Sequence, residues 1–108
     1  MVNHHLHQGT TAELQQLADM PPLPESSTRG LVQRAESVAR SLGQGFRARG
    51  VGYGSDGNHL AETGMQLLVG VGPYGGGMHS DTEFMRLSAY SERLALMTAL
   101  VGNLITTP

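Results

Sequence analysis

Residues 52–85 read GYGSDGNHLAETGMQLLVGVGPYGGGMHSDTEFM, and this stretch decides how the rest of the chain is interpreted. Two glycine clusters flank a continuous apolar run, Gln66 to Val71 (QLLVGV). A run of that length suits a strand buried on both faces, as in parallel sheets. Before it, Asp56 to Thr63 follows a glycine turn and is expected to form a short helix. After it, Gly72 to Ser80 is expected to be a long glycine loop, with His79 near its end and Asp81 and Glu83 just beyond.

Upstream, Leu31, Val32, Ala35, Val38, Ala39 and Leu42 recur at helical spacing, with Arg34, Glu36 and Arg40 elsewhere on the helix. Ser26 and Ser27 are suited to cap its start, and Gly43 to stop it. Gly45 to Val51 reads as a short strand, with Phe46, Ala48 and Gly50 on one side and Arg47 and Arg49 on the other. Downstream, Ser88 is the expected cap of a last helix. Its stripe is Tyr90, Leu94, Met97, Val101 and Leu104, while Leu96 and Leu100 lie off that stripe, so cover on two sides is expected. The order helix, strand, short helix, strand, long helix is an α/β pattern with right-handed crossovers. Two strands do not make a self-sufficient sheet, so the apolar faces call for more strands than these residues offer.

Near the start, Thr11 to Met20 fits a strand or a short helix equally well. Pro21-Pro22-Leu23-Pro24 interrupts either one and reads as a linker or a domain crossing. His4, His5 and His7 fall in a polar start, where a loose segment is a better reading than a metal site.

Composition excludes several classes. The chain has 108 residues, 39% of them apolar, a formal charge of −2 and 15 glycines. Its seven basic residues are all scattered arginines, so no nucleic-acid patch or polybasic membrane anchor is expected. The absence of cysteine removes disulfides, thiolate metal sites and a cysteine nucleophile. No apolar run approaches the roughly 20 residues that span a bilayer. MVNHHLHQGTT does not read as a secretory signal, and a cytoplasmic location is the expectation.

The first cluster, Gly52 to Asn58, could present backbone N–H groups to a carboxylate or phosphate. It equally fits a plain strand-to-helix turn capped by Ser55 or Asp56. It lacks the lysine of a phosphate-binding loop and the glycine spacing of a dinucleotide site. In the second cluster, a neutral His79 could ligate zinc, though a lone loop histidine is more often a hydrogen-bonded structural residue. Asp81 and Glu83 equally suit the start of the next helix. His59 sits on the short helix, is expected to be exposed and has no assigned role.

Together the two clusters resemble the closing part of the zinc-dependent carboxypeptidase, aminoacylase and deacylase family. That family includes glutamate carboxypeptidase, acetylornithine deacetylase and succinyl-diaminopimelate desuccinylase. The similarity covers residues 20 to 105 and is nearest the glutamate-carboxypeptidase-like branch. It implies an α/β fold in which residues 21–108 are the C-terminal part of a catalytic domain. Residues 1–20 would be a loose start plus the end of a lid domain, with the return crossing at Met20-Pro21-Pro22. It implies that His79 is a metal ligand, and that Gly75, Gly76 and Gly77 form the loop bringing it to two zinc ions. It implies that Gly54, Ser55, Asp56 and Gly57 line the substrate cleft, with Gly76 and Gly77 also at the substrate. In glutamate-preferring relatives an arginine often precedes the proline; here Met20 stands there, which points to a less acidic substrate side. The resemblance does not extend to the family's first half, whose His-x-Asp motif, bridging Asp and Glu-Glu pair supply the other ligands and the general base.

The leading expectation is therefore a segment of a two-metal hydrolase acting on amide bonds of peptides or N-acyl amino acids. It would be inactive alone, would not retain zinc alone, and would need the missing N-terminal catalytic half as partner. A self-associating, non-catalytic remnant and a small anion-binding module using the Gly52 to Gly57 turn are the alternatives.

Overall fold

A computed structural model describes residues 7–108. His4 and His5 lie outside the described residues. Residues 11–20 form neither of the two expected elements and are exposed throughout.

The first long helix, α1, spans Arg29–Ser41 and buries Ala35, Val38 and Ala39. This is the apolar face that the 3.6-residue period lays out. Ser26 and Ser27 are not its caps: they belong to a 3-10 turn, Glu25–Ser27, and Thr28 takes the N-cap position. The end follows the sequence expectation. Gly43 adopts φ +68, Gly43 N–H donates to Arg40 O and Gln44 N–H to Ala39 O, which is the Schellman arrangement.

The second helix, α2, spans Leu87–Thr106 and starts from Arg86. Ser88 therefore lies inside its first turn rather than capping it. Its buried residues are Ala89, Leu96 and Leu100, so the core face is centred off the expected stripe, with Met97 and Leu104 of that stripe at its edge. On that stripe Tyr90, Leu94 and Val101 are exposed, and Leu87 and Ile105 extend the same bare face. The physical reason is competition between two apolar faces on one helix. The face holding Leu96 and Leu100 meets α1, and nothing within the described residues covers the other.

Ala35, Val38 and Ala39 of α1 pack with Leu96 and Leu100 of α2 into one cluster, with Phe46, Leu68, Met97, Ala99 and Leu104 against it. The Arg93 guanidinium sits 5.9 Å from the centre of the Phe46 ring, within cation–π range. Arg34 donates to the carbonyl of Thr107, fastening the end of α2 to α1.

The two expected strands do not form. Residues 45–51 and 66–71 adopt no regular element among the described residues. Phe46 and Leu68 still pack on the helices, as their apolar character demands, but a strand also needs a ladder partner. Of residues 66–71, Leu67 makes the one backbone–backbone link among the described residues, to Ser27 O at 2.7 Å. No parallel pair, and hence no crossover, exists among the described residues. The sheet that does form is small and antiparallel: β1 (Gly75–Gly76) pairs with β2 (Phe84–Met85), Gly75 opposite Met85 and Gly76 opposite Phe84. Helices with a small sheet remain compatible with an α/β fragment.

The radius of gyration is 19.5 Å. A compact domain of this size would have about 13 Å. The apolar chain is thus only partly gathered around the α1–α2 contact. Leu96 is 1% exposed and Leu94 57% exposed. Leu96→Ala is expected to cost ~2–5 kcal/mol, while Leu94→Ala stays within about 0.5 kcal/mol. Thermal melts followed by helical circular dichroism check the contrast.

Candidate functional site

The 3-10 helix Asp56–Thr63 occupies the span expected for a short helix and ends at Gly64, φ +78. Its entry is held by Asn58, whose Oδ1 accepts the Ser55 N–H at 2.8 Å. The Asn58 N–H donates back to Ser55 O at 2.9 Å. Asn58 also reaches out of the turn, its Nδ2 donating to Pro21 O at 2.9 Å. Sequence reasoning passed over this residue, although Ser55-x-x-Asn58 has capping-box spacing. Asn58 thereby ties the first glycine cluster to the proline crossing.

The glycines of this turn are needed for packing. A Cβ on Gly54 would run into Met20 Sδ, and one on Gly57 would lie 2.5 Å from Val69 Cγ1. The turn is thus bordered by two apolar side chains, Met20 and Val69. Ser55 is half-buried and Asp56 exposed, and Asp56 joins no ion pair among the described residues.

The second cluster is a hairpin tip, not the tail of an open loop. Gly75 can have no side chain because a Cβ would strike the carbonyl of Phe84. Gly76 lies under the Phe84 ring, whose Cε1 would be 2.8 Å from an added Cβ. Gly77, at φ +67, would meet Thr82 O at 2.7 Å. The three glycines are accounted for by closing β1 on β2. Arg86 N–H donating to Tyr74 O at 3.0 Å closes the base.

His79 stands at the tip, exposed, with φ +65. It is the one non-glycine residue with positive φ among those described. For such a residue that conformation costs ~1–2 kcal/mol. Its imidazole makes no hydrogen bond among the described residues. His59, as expected, is exposed. Asp81 and Glu83 do not begin the next helix: β2 intervenes, and the first turn of α2 holds no acid.

No hydrogen bond joins the two clusters among the described residues. The first is fastened to Met20, Pro21 and Val69, the second to Phe84 and Met85. No group of three or more His, Asp or Glu side chains that could hold a metal occurs among the described residues. One exposed imidazole does not make a zinc site, which takes three or four protein ligands. The residues present therefore do not fit a complete metal centre.

The sequence model of peptidase family M20/M25/M40 matches residues 4–103. The chain belongs to this family. Membership places it at family level among metallopeptidases, hydrolases that are generally metal-dependent and usually use zinc. No curated protein and no solved structure matches it. The match takes in both glycine clusters and almost all of α2. No helix among the described residues is long and apolar enough to cross a membrane.

Gly75→Ala is expected to open the hairpin at a cost of about 1–3 kcal/mol. Exchange of the Arg86 amide proton should accelerate accordingly, with helical circular dichroism unchanged.

Proposed function

We propose that this chain is the C-terminal part of the catalytic domain of an M20-type amidohydrolase or carboxypeptidase. Its substrates are small peptides or N-acyl amino acids, and the scissile bond is an amide. Residues 21–108 form that part, and residues 1–20 belong to the approach from a lid domain. His79 contributes one zinc ligand, and the remaining ligands and the general base come from outside these 108 residues. Gly54, Ser55, Asp56 and Gly57 border the substrate, with Gly76 and Gly77 on the side of His79.

The single observation that supports this reading is His79 itself. An unbonded imidazole is held at the tip of a glycine hairpin in an unfavourable backbone conformation. Nothing in the described residues uses it, and strained positions of this kind cluster at functional sites. Met20 beside Gly54 adds an apolar neighbour to the turn and favours a substrate whose side chain there is neutral or apolar.

A second reading has its own support. Leu87, Tyr90, Leu94, Val101 and Ile105 form a bare apolar face along α2. Such faces favour association, and this one supports the reading of a self-associating form without catalysis.

The purified chain is expected to keep well under one zinc per chain after dialysis and to hydrolyse no N-acyl amino acid. Affinity purification from the cells that make it should bring down a longer chain with chelator-sensitive hydrolysis, lost when the bait is His79→Ala. Hydrolysis by the chain alone, abolished by chelation and restored by zinc, would overturn the proposal. Light scattering that gives a stable oligomer with no co-purifying chain favours the second reading.

A further inference from the structure

We infer that Asn58 is a latch between the segment before Pro21 and the glycine turn at Ser55, and so a positioning residue for that turn. Its bearing on function rests on the proposed reading that Gly54 to Gly57 border the substrate. Residues 11–23 make one hydrogen bond of any kind among the described residues, the one that Asn58 Nδ2 donates to Pro21 O at 2.9 Å. Apolar cover does little to hold the segment, since Leu14 and Leu17 are 83% and 84% exposed. Pro21 has no N–H, so its carbonyl is the single bonding group that its backbone offers. Asn58 takes that group.

An asparagine side chain carries an acceptor oxygen and two N–H donors. Here the oxygen accepts the Ser55 N–H at 2.8 Å and lies 3.5 Å from the Ser55 hydroxyl that donates to it. The partners fix which way the amide points, because a backbone N–H faces the oxygen and a carbonyl faces the nitrogen. Gly54 lies at the same junction. A Cβ there would strike Met20 Sδ and stand 3.7 Å from Asn58 Oδ1. Met20, Gly54 and Asn58 thus meet at one point, with Asn58 itself half-buried.

Capping the 3-10 helix uses only the oxygen of Asn58. The nitrogen's bond spans 37 residues and has no part in the cap. It fastens Pro21, and a proline holds the residue before it in extended backbone. Met20 is therefore aimed from a fixed point. A displacement of the incoming segment pulls on Asn58 Nδ2 and, through the same rigid amide, on the Ser55 N–H. Asn58 acts through the turn and is not itself catalytic.

The test is nuclear magnetic resonance on the isotope-labelled full chain as wild type, Asn58→Asp and Asn58→Ala. Asn58→Asp separates the two bonds: a carboxylate still accepts the Ser55 N–H but has no N–H for Pro21 O. The cross-peak between the Met20 methyl and Gly54 Hα is expected in the wild type and lost in Asn58→Asp. The order parameter of the Met20 amide should fall from about 0.85 to below about 0.6, while protection of the Ser55 amide stays unchanged. Asn58→Ala, which removes both bonds, should lose the Ser55 protection as well. If Asn58→Asp does not fold, Gly54→Ala takes its place. It displaces Met20 and must speed exchange of the Asn58 side-chain NH2 protons. A Met20 amide already mobile in the wild type overturns the inference. So does a Met20 unchanged in Asn58→Asp, or a Ser55 amide that loses protection together with it. No substrate enters this experiment. Hydrolysis by an assembled enzyme that is unaffected once Met20 is released would instead overturn the substrate role of the turn and leave the latch standing.

Discussion

The contact between α1 and α2 is the constraint from which the rest of the structure hangs. Ala35 and Ala39 have no side chain beyond Cβ, which leaves room for Leu96 and Leu100 in the same buried cluster. Phe46 and Leu68, from two segments without regular structure, find their cover on the same cluster. Arg93 stacked on Phe46 and Arg34 fastened to Thr107 add polar ties at the edges of the contact. The candidate functional residues lie on the connection between the two helices: the Ser55 turn at the entry to the 3-10 helix, and the His79 hairpin, whose second strand leads through Arg86 into α2.

A helix pair of this kind is too small to close both faces of its own elements. The bare face of α2, the unpaired segments 45–51 and 66–71 and the extended overall dimensions of 64 × 36 × 18 Å express one fact. Apolar surface here exceeds what the described residues cover. The solitary histidine says the same in chemical terms, since a metal centre needs donors that these residues do not gather. Family membership and this uncovered surface are what support the proposal that the chain works with residues outside it. The local devices are nevertheless well made. Asn58 ties its turn to Pro21, and Ser80 Oγ donates to Gly77 O at the hairpin tip.

What was legible in the sequence was local. Helical spacing located α1, Gly43 its stop and the glycine-bounded run Asp56–Thr63 the 3-10 helix, because each depends on residues within one or two turns of one another. The segments read as strands have the right composition, but strand formation is decided by a partner far away in sequence, and none is present among the described residues. The α2 stripe was visible as an amphipathic pattern. Which of its two apolar faces would meet α1 was not, because Leu96 and Leu100 compete with Leu94 and Val101 on nearly equal terms. At the candidate site, His79 was found through family resemblance, whereas its hairpin was missed because Gly75-Gly76 and Phe84-Met85 carry no alternating pattern. The positive φ of His79 has no sequence signal beyond the adjacent glycines.

Amide hydrogen exchange along the purified chain tests the central claim most directly: that one helical contact holds a structure in which segments 45–51 and 66–71 have no strand partner among the described residues. Slow exchange is predicted in the interiors of α1 and α2, and near-unstructured rates in residues 45–51 and 66–71, with Leu67 excepted for its bond to Ser27. Protection of those two segments equal to that of the helices would mean that the chain pairs its own strands, and would contradict the account.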